Sequence, residues 1–600
     1  MATTIHLLGL PRIDRDGVQQ PSPRGHKAWG LLAYLLLSDS PVSRANVCSL
    51  LFADADDPLA ALRWNLSQVR RALGEPKAVL GDPISLDARL RAGTDVRAVL
   101  SGTWQEADVL SELGSDLLEA MPFPTCPAFE VWLESERRHI RAATEAMLRE
   151  GAMSRLAAGD GHRAADIAGQ LVRLNPYEEN FQVLLVRSLA ASGDGIGAAR
   201  AAAACRALFR RELGVEPGPD IDAAAATTTA RPTSAPRVGT AAVLALLQAG
   251  EAAIGAGAVE AGLHCLRRAV ADAEAIGDRS LQARGLAALG AALVHAVRGR
   301  DEEGATALHQ AVALAGNDES LRSVLAQGCR ELGYIEFLRA RYDRVEPWLT
   351  RADAAAAGDS VERARILTVR GETLGDTARY AAALDVLEAA KAIMVNERDL
   401  AYAASLIGRI HLLRGDLHSA RTALQESISL AERTGWTALL PWPESQLAEV
   451  EIASGELDAA TIRLDQAFAL SCHLGDPCWQ GASGRGLGLL MAARGDIEAA
   501  IATLIDARAR CTRVPDGYLW MDTHILESLC GLAVEHQLPQ AGAWVTELAD
   551  VAARRGMREH IVRAEIYMAR LGNPASLEAA AALAAEIDNP ALREMVRRAM

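Results

Sequence analysis

Lysine is nearly missing from this sequence. Of the 62 basic residues only Lys27, Lys77 and Lys391 are lysine, and arginine supplies the other 59. None of the three follows a glycine or precedes Ser or Thr, so no Gly-Lys-Ser/Thr phosphate loop can be drawn. Nucleotide switching through such a loop is excluded. Aromatic residues are also scarce, at 4%. Alanine and leucine must carry the core, which favours helices over sheets. The nine cysteines are scattered; the closest pair is Cys472 and Cys478. No CxxC and no Cys/His set with zinc spacing occurs, so buried, reduced thiols are expected, and neither metal nor cofactor. HExxH and GxSxG are absent, and "GRGLGLL" (484–490) has no strand before it, so no enzyme is expected. "MATTIHLLGLPRID" lacks a basic leader, and no apolar run reaches a membrane-spanning length of about 18 residues. The expected location is the cytoplasm, with no membrane partner. A net charge of −15 argues against a chain coated with nucleic acid along its length, but allows one local basic site.

What is present divides into three regions, since 600 residues are too many for one core. Residues 1–92 mix strand and helix signals. "TIHLLGL" and "GVQQPSP" flank "PRIDRDG", whose Arg-Asp-Gly end is a hairpin turn. "RGHKAWGLLAYLLLS" (24–38) predicts a buried helix, and "PVSRANVCSLLF" (41–52) a second one with Ser43 as N-cap. "DPLAALRWNLSQVRRALGEP" (57–76) is a third. "AVLGDPISLDA" (78–88) is a hairpin turning at Gly-Asp-Pro. Strands, three helices and a hairpin are the element order of a winged helix-turn-helix.

In the third helix Leu62, Leu66, Val69 and Leu73 form one apolar stripe. Trp64, Ser67, Gln68 and Arg71 lie opposite, with Arg63 and Arg70 on the flank. Arginine can bond guanine bidentately, glutamine can bond adenine, and serine and arginine can hold phosphate. Lys77 and Arg89 flank the hairpin within reach of backbone phosphate, where each contact would add salt dependence. The expected DNA-contact set is therefore Arg63, Trp64, Ser67, Gln68, Arg70, Arg71, Lys77 and Arg89. Trp64 has two open roles, contact with DNA or packing against the hairpin or a neighbouring domain. The acidic run Asp54, Asp56 and Asp57 supports DNA binding if it lies behind this face and weakens it if it lies beside it.

From about residue 95 the chain reads as helical. Residues 220–240, rich in Ala, Thr and Pro, predict a flexible linker. Beyond it the chain repeats itself. "RGDLHSARTAL", "SGELDAATIRL" and "RGDIEAAIATL" set Gly415, Gly455 and Gly495 at steps of 40 residues, with weaker copies at Gly257, Gly299, Ala340, Ala378 and His536. Each step is one helix pair, whose Gly-Asp turn lets a small alanine pack closely on the partner helix. Such pairs must stack to bury their apolar faces, and a stack offers a concave surface for a peptide, a protein or a small ligand. Copies at Gly159 and Gly193 precede the linker. "WTALLPWPESQ" (436–446) reads either as a rigid elbow or as an aromatic anchor in a recognition surface. The fold class is mainly α: a small α+β winged helix-turn-helix followed by tetratricopeptide-like repeats forming a solenoid, with the repeats over 241–600.

Five stretches, "RGHKAWGLLAYLLL", "SRANVCSLLFADADDPLAALRWNLSQVRRALG", "FEVWLESERRHI", "LVRLNPYEENFQVLLVRSLAASGD" and "FRRELGVEPGP", make residues 1–220 resemble the SARP-type transcriptional regulators. In that family an OmpR-like winged helix precedes a bacterial transcriptional activator domain, which here would occupy 93–219. Phe52 stands where the family usually has Trp, and "TDVRAVLSG" lacks a usual Phe. The resemblance implies a transcription factor that binds double-stranded DNA, with dimers and RNA polymerase contact supported by the activator domain. It assigns the DNA-contact role to Arg63, Ser67, Gln68 and Arg71. With the repeats, it implies a regulator that receives a signal or a protein partner on its solenoid. The competing reading is a repeat scaffold whose winged helix is a protein-interaction module.

Overall fold

The computed structural model describes residues 3–38, 41–75, 77–104, 110, 113–226, 239–255, 257–297, 299–513 and 518–600. The expected element order is present. β1 (Thr3–His6), β2 (Arg12–Arg15) and β3 (Val18–Gln19) form an antiparallel sheet in the order β1-β2-β3, with Ile5 opposite Ile13 and Arg15 opposite Val18. Asp16 and Gly17 both take positive φ, the two-residue turn whose twist matches that of paired strands. α1 (His26–Leu37), α2 (Arg44–Leu51) and α3 (Pro58–Leu73) follow, then the hairpin β4 (Val79–Leu80) and β5 (Ser85–Leu86). Ser43 caps α2 by accepting from the Asn46 amide at 3.1 Å.

α4 (Ala88–Ala92) and α5 (Asp95–Ser101) lead to α6 (Pro127–Ala157). α6 is the spine of the molecule. Phe129, Trp132 and Leu133 in its first half enter the core shared by the sheet, α1 and α3. Leu148, Ala152 and Met153 in its second half enter a different core, shared with the repeats. Asp95 ties α5 to the sheet: its buried carboxylate accepts from the amides of Leu7 and Leu8 at 2.9–3.0 Å.

Nine helix pairs run from Thr240 to Ala585, with Pro590–Ala599 as a final helix. Their turns are left-handed at Gly257, Gly299, Gly415, Gly455 and Gly495, and equally at Ala340, Ala378 and Gln537. The αL residue ends one helix, and after Gly415 and Gly495 an aspartate caps the next, Asp416 for the Ser419 amide and Asp496 for that of Ala499. Ala420, Ala460 and Ala500 are fully buried one turn later, as their small size predicts.

Three findings bear on the expectations. First, helix Asp220–Ala226 occupies the start of the segment expected to be a linker, and its Ile221 and Ala224 pack with Val186 and Phe209. Residues 227–238 lie outside the described residues. Second, "GRGLGLL" lies within helix Pro477–Ala493, where a Cβ on Gly486 or Gly488 would come within 2.6 Å of Leu464 or Leu504. The glycines there allow close helix packing. Third, the solenoid is not an open concave surface. It wraps α6 and closes on itself. Arg149 of α6 reaches Glu302 at 3.0 Å and Glu336 at 3.1 Å, and Arg344 grips Glu150 at 2.6 Å. Helix Pro574–Ala585 packs on both α6 and α2. Asn589 donates to the Leu413 carbonyl at 3.1 Å, joining the end of the repeats to their middle.

Candidate nucleic-acid interface

Asp57 opens α3 by accepting from the Ala60 amide at 2.9 Å, with Pro58 in the first turn, where its missing N–H costs nothing. Gly74 closes the helix in the left-handed conformation. Arg15 of β2 donates to the Leu73 carbonyl at 2.6 Å and so satisfies one carbonyl of the last turn. Leu62, Leu66, Val69 and Leu73 are buried as expected.

Of the expected contact residues, the structure brings Arg63, Trp64, Ser67 and Arg71 together on the open side of α3. Trp64 keeps 51% of its surface exposed. Lys77 is exposed at the foot of the hairpin. Arg89 is also exposed but pairs with Asp87 at 2.8 Å, so a phosphate would have to compete with that carboxylate.

Two expected residues are elsewhere. Gln68 is only 8% exposed and belongs to the covered side of the helix. Arg70 points its guanidinium at the hairpin and donates to the Val79 carbonyl from Nε at 2.9 Å and from Nη2 at 2.8 Å. The reason is local: β4 and β5 are two residues each and supply few ladder bonds, so side chains hold them. Arg44, which sequence reasoning passed over, does the same from α2, donating to the Gly81 carbonyl at 3.1 Å. No sequence pattern marks these clamps, because a helical wheel gives a direction and not the neighbour found there.

The acidic run is split. Asp54 turns to Lys27 of α1 at 2.6 Å, and that bond holds its carboxyl below the usual range. Asp57 lies 3.8 Å from Arg63, at the first turn of the same helix. The face is therefore cationic at Arg71 and Lys77 and partly compensated at Arg63.

The hairpin ends at Leu86, and the chain from α4 onward builds the helical body behind it. Residues 88–227 match the family model of the bacterial transcriptional activator domain. This stretch is a bacterial transcriptional activator domain. The matched stretch runs from the start of α4 to just past helix Asp220–Ala226 and includes the expected 93–219. α6 is its longest helix.

No curated protein matches the chain in sequence. Among solved structures, EmbR of Mycobacterium tuberculosis in complex with a low affinity phosphopeptide is 20% identical, with 42% of this chain and 72% of that chain covered and a TM-score of 0.29. Aspartyl phosphate phosphatase F from Bacillus subtilis is 12% identical over 61% of this chain and 97% of its own, with a TM-score of 0.35. Yeast Tom70 is 10% identical over 71% and 95%, at 0.31. Superpositions this loose carry no argument about the chain's activity. Among the described residues no helix is long and apolar enough to cross a membrane.

Proposed function

We propose that this protein is a cytoplasmic transcriptional regulator that works by binding rather than catalysis. α3 enters the major groove of double-stranded DNA, Arg63, Ser67 and Arg71 contact bases or phosphates, and Lys77 contacts the backbone beside the hairpin. Gln68 leaves the contact set because it is covered, and Arg70 positions the hairpin. The activator domain passes the bound state to RNA polymerase, as a monomer or a dimer, and the repeats receive a signal or partner.

The observation that carries this reading is the uncovered side of α3, ahead of an activator domain. Selection of bound fragments from a genomic DNA pool by the full-length protein tests it, run in parallel with Arg63→Ala/Arg71→Ala. An enriched repeated motif, lost in the double variant, is the expected result. If neither the full chain nor residues 1–227 enriches any sequence, the reading fails and the protein is a repeat scaffold.

A further inference from the structure

Where the closing solenoid leaves space, aromatic side chains gather. A cavity of about 480 Å³ opens between helices Arg322–Leu338, Ser360–Asp376 and Glu397–Leu413. Tyr334, Tyr402, Trp436 and Trp479 line it. A narrower extension, sharing Tyr334, Tyr402 and Trp479, leads inward to Trp442 and Trp520.

The charges around the cavity are paired, with one exception. Arg330 lies between Glu331 at 2.7 Å and Glu362 at 2.6 Å. His295 meets Glu331 at 2.7 Å, and Arg365 lies 3.5 Å from Asp399. Glu372 faces both the cavity and its extension and is only 4% exposed. Its Oε1 accepts from the Tyr402 hydroxyl, while its Oε2 is buried and has no hydrogen-bond partner. The cation with influence on it, Arg409, is already bound to Asp376 at 2.5 Å. Further in, the Trp520 indole N–H is likewise buried and unbonded. A buried acceptor and a buried donor left open along one aromatic passage is an unfilled recognition pattern, since such groups are costly to leave unmade.

We propose that this cavity binds the ammonium or guanidinium head of an organic ligand, salt-bridged to Glu372 and packed among Tyr334, Tyr402, Trp436 and Trp479. A carboxylate and aromatic rings are the two groups that attract such a head in a place poor in water. Burial, with Asp376 nearby, pushes the Glu372 carboxyl up to about 8, against the opposing effects of Tyr402 and Arg409. The carboxyl therefore holds a proton near neutrality, and an arriving cation displaces it. The head group is common to free amines and to basic side chains of a peptide.

This inference deepens the reading of the repeats as a receiver, but its test does not involve DNA. Isothermal titration of the full-length protein at pH 7 uses agmatine, cadaverine, a capped Ala-Leu-Arg-Ala-Leu peptide, and 1,5-pentanediol as the uncharged control. Saturable binding of a cation is expected, with proton release seen as a heat that depends on the buffer. Glu372→Gln mimics the protonated carboxyl, so it should retain the fold while weakening binding by about tenfold or more and releasing no proton. Trp436→Ala, at the rim, should weaken binding without affecting proton release. Binding by the amines alone identifies a small-molecule ligand, and binding by the peptide alone a basic segment. No binding by any of the three cations, equal binding of the diol, or undiminished binding by Glu372→Gln overturns the proposal.

Discussion

Arginine does opposite work at the two ends of this molecule. Around α3 and the hairpin it either projects into solvent, as Arg63 and Arg71 do, or grips a backbone carbonyl, as Arg15, Arg44 and Arg70 do. Between α6 and the repeats it is buried against carboxylates, Arg149 with Glu302 and Glu336 and Arg344 with Glu150, and within the repeats Arg409 is buried against Asp376. The difference is one of solvation. An exposed guanidinium keeps its water and can exchange it for a phosphate. A buried one has given up its water, and its carboxylate is then required wherever the fold places it. One end thus leaves its cations to solvent, and the other uses them to hold the solenoid around its spine.

The strongest way to break this contrast is to remove a buried cation. Arg149→Met removes the cation that Glu302 and Glu336 share and leaves them Arg339 at 3.3 Å and Arg341 at 3.6 Å, and about 3 kcal/mol of stability should be lost in urea denaturation. If Arg149→Met is neutral, the ion pairs do not hold the repeats to α6.

Acid should act on the same region. Burial, with Arg149 adding for His309 and the effects of other charges partly opposing, lowers His309 and His560 from 6.5 to about 4. Both are neutral in the fold, so their contribution is complete above pH 6.5 and is lost as pH falls toward 4. As the unfolded state takes up the proton and the folded state does not, each costs about 3 kcal/mol across that window, and the thermal midpoint should drop with it. Glu372 has the opposite sign. Its folded value lies above its unfolded one, so stability declines as pH rises from 4.5 to about 8. Glu372→Gln should flatten that side of the curve only.

At the other end, Arg70→Ala and Arg71→Ala sharpen the comparison. Arg70→Ala removes two bonds to the Val79 carbonyl and should cost about 1–2 kcal/mol of stability. Arg71→Ala should leave stability within about 0.5 kcal/mol and instead weaken DNA binding and lower its salt slope by about one. Equal effects from both on melting and on DNA would merge the two roles.

The smallest effects belong to the repeat turns. Gly415→Ala places a side chain at φ +79° and should cost about 1 kcal/mol. Ala378→Gly relieves a non-glycine held at φ 60° and should stabilise by up to about 1 kcal/mol. Thermal melts distinguish the two signs.

Much of the fold was legible because its signals are short-range. The Gly-Asp turns reveal the repeat pairs, and the copies with alanine at the same position keep the left-handed turn. Ser43 marks a helix start, and Asp16-Gly17 marks a hairpin. The open side of α3 was legible in part. Arg63, Trp64, Ser67 and Arg71 follow from periodicity, whereas Gln68 and Arg70 were misplaced because what lies against a helix edge is supplied by distant residues. Trp442 in "WTALLPWPESQ" is buried, while Trp436 lines the cavity; the motif is elbow and surface at once.

What the sequence by itself determined is local: where helices begin and end, which stripe of each is apolar, that pairs must stack, and that no phosphate loop exists. These follow from backbone sterics, capping and burial within a few residues. Only the tertiary structure decided that the solenoid closes around α6, that arginines distant in sequence meet buried carboxylates, and that Glu372 is left without a cation. Those outcomes depend on which surfaces meet across hundreds of residues, and no periodicity records them.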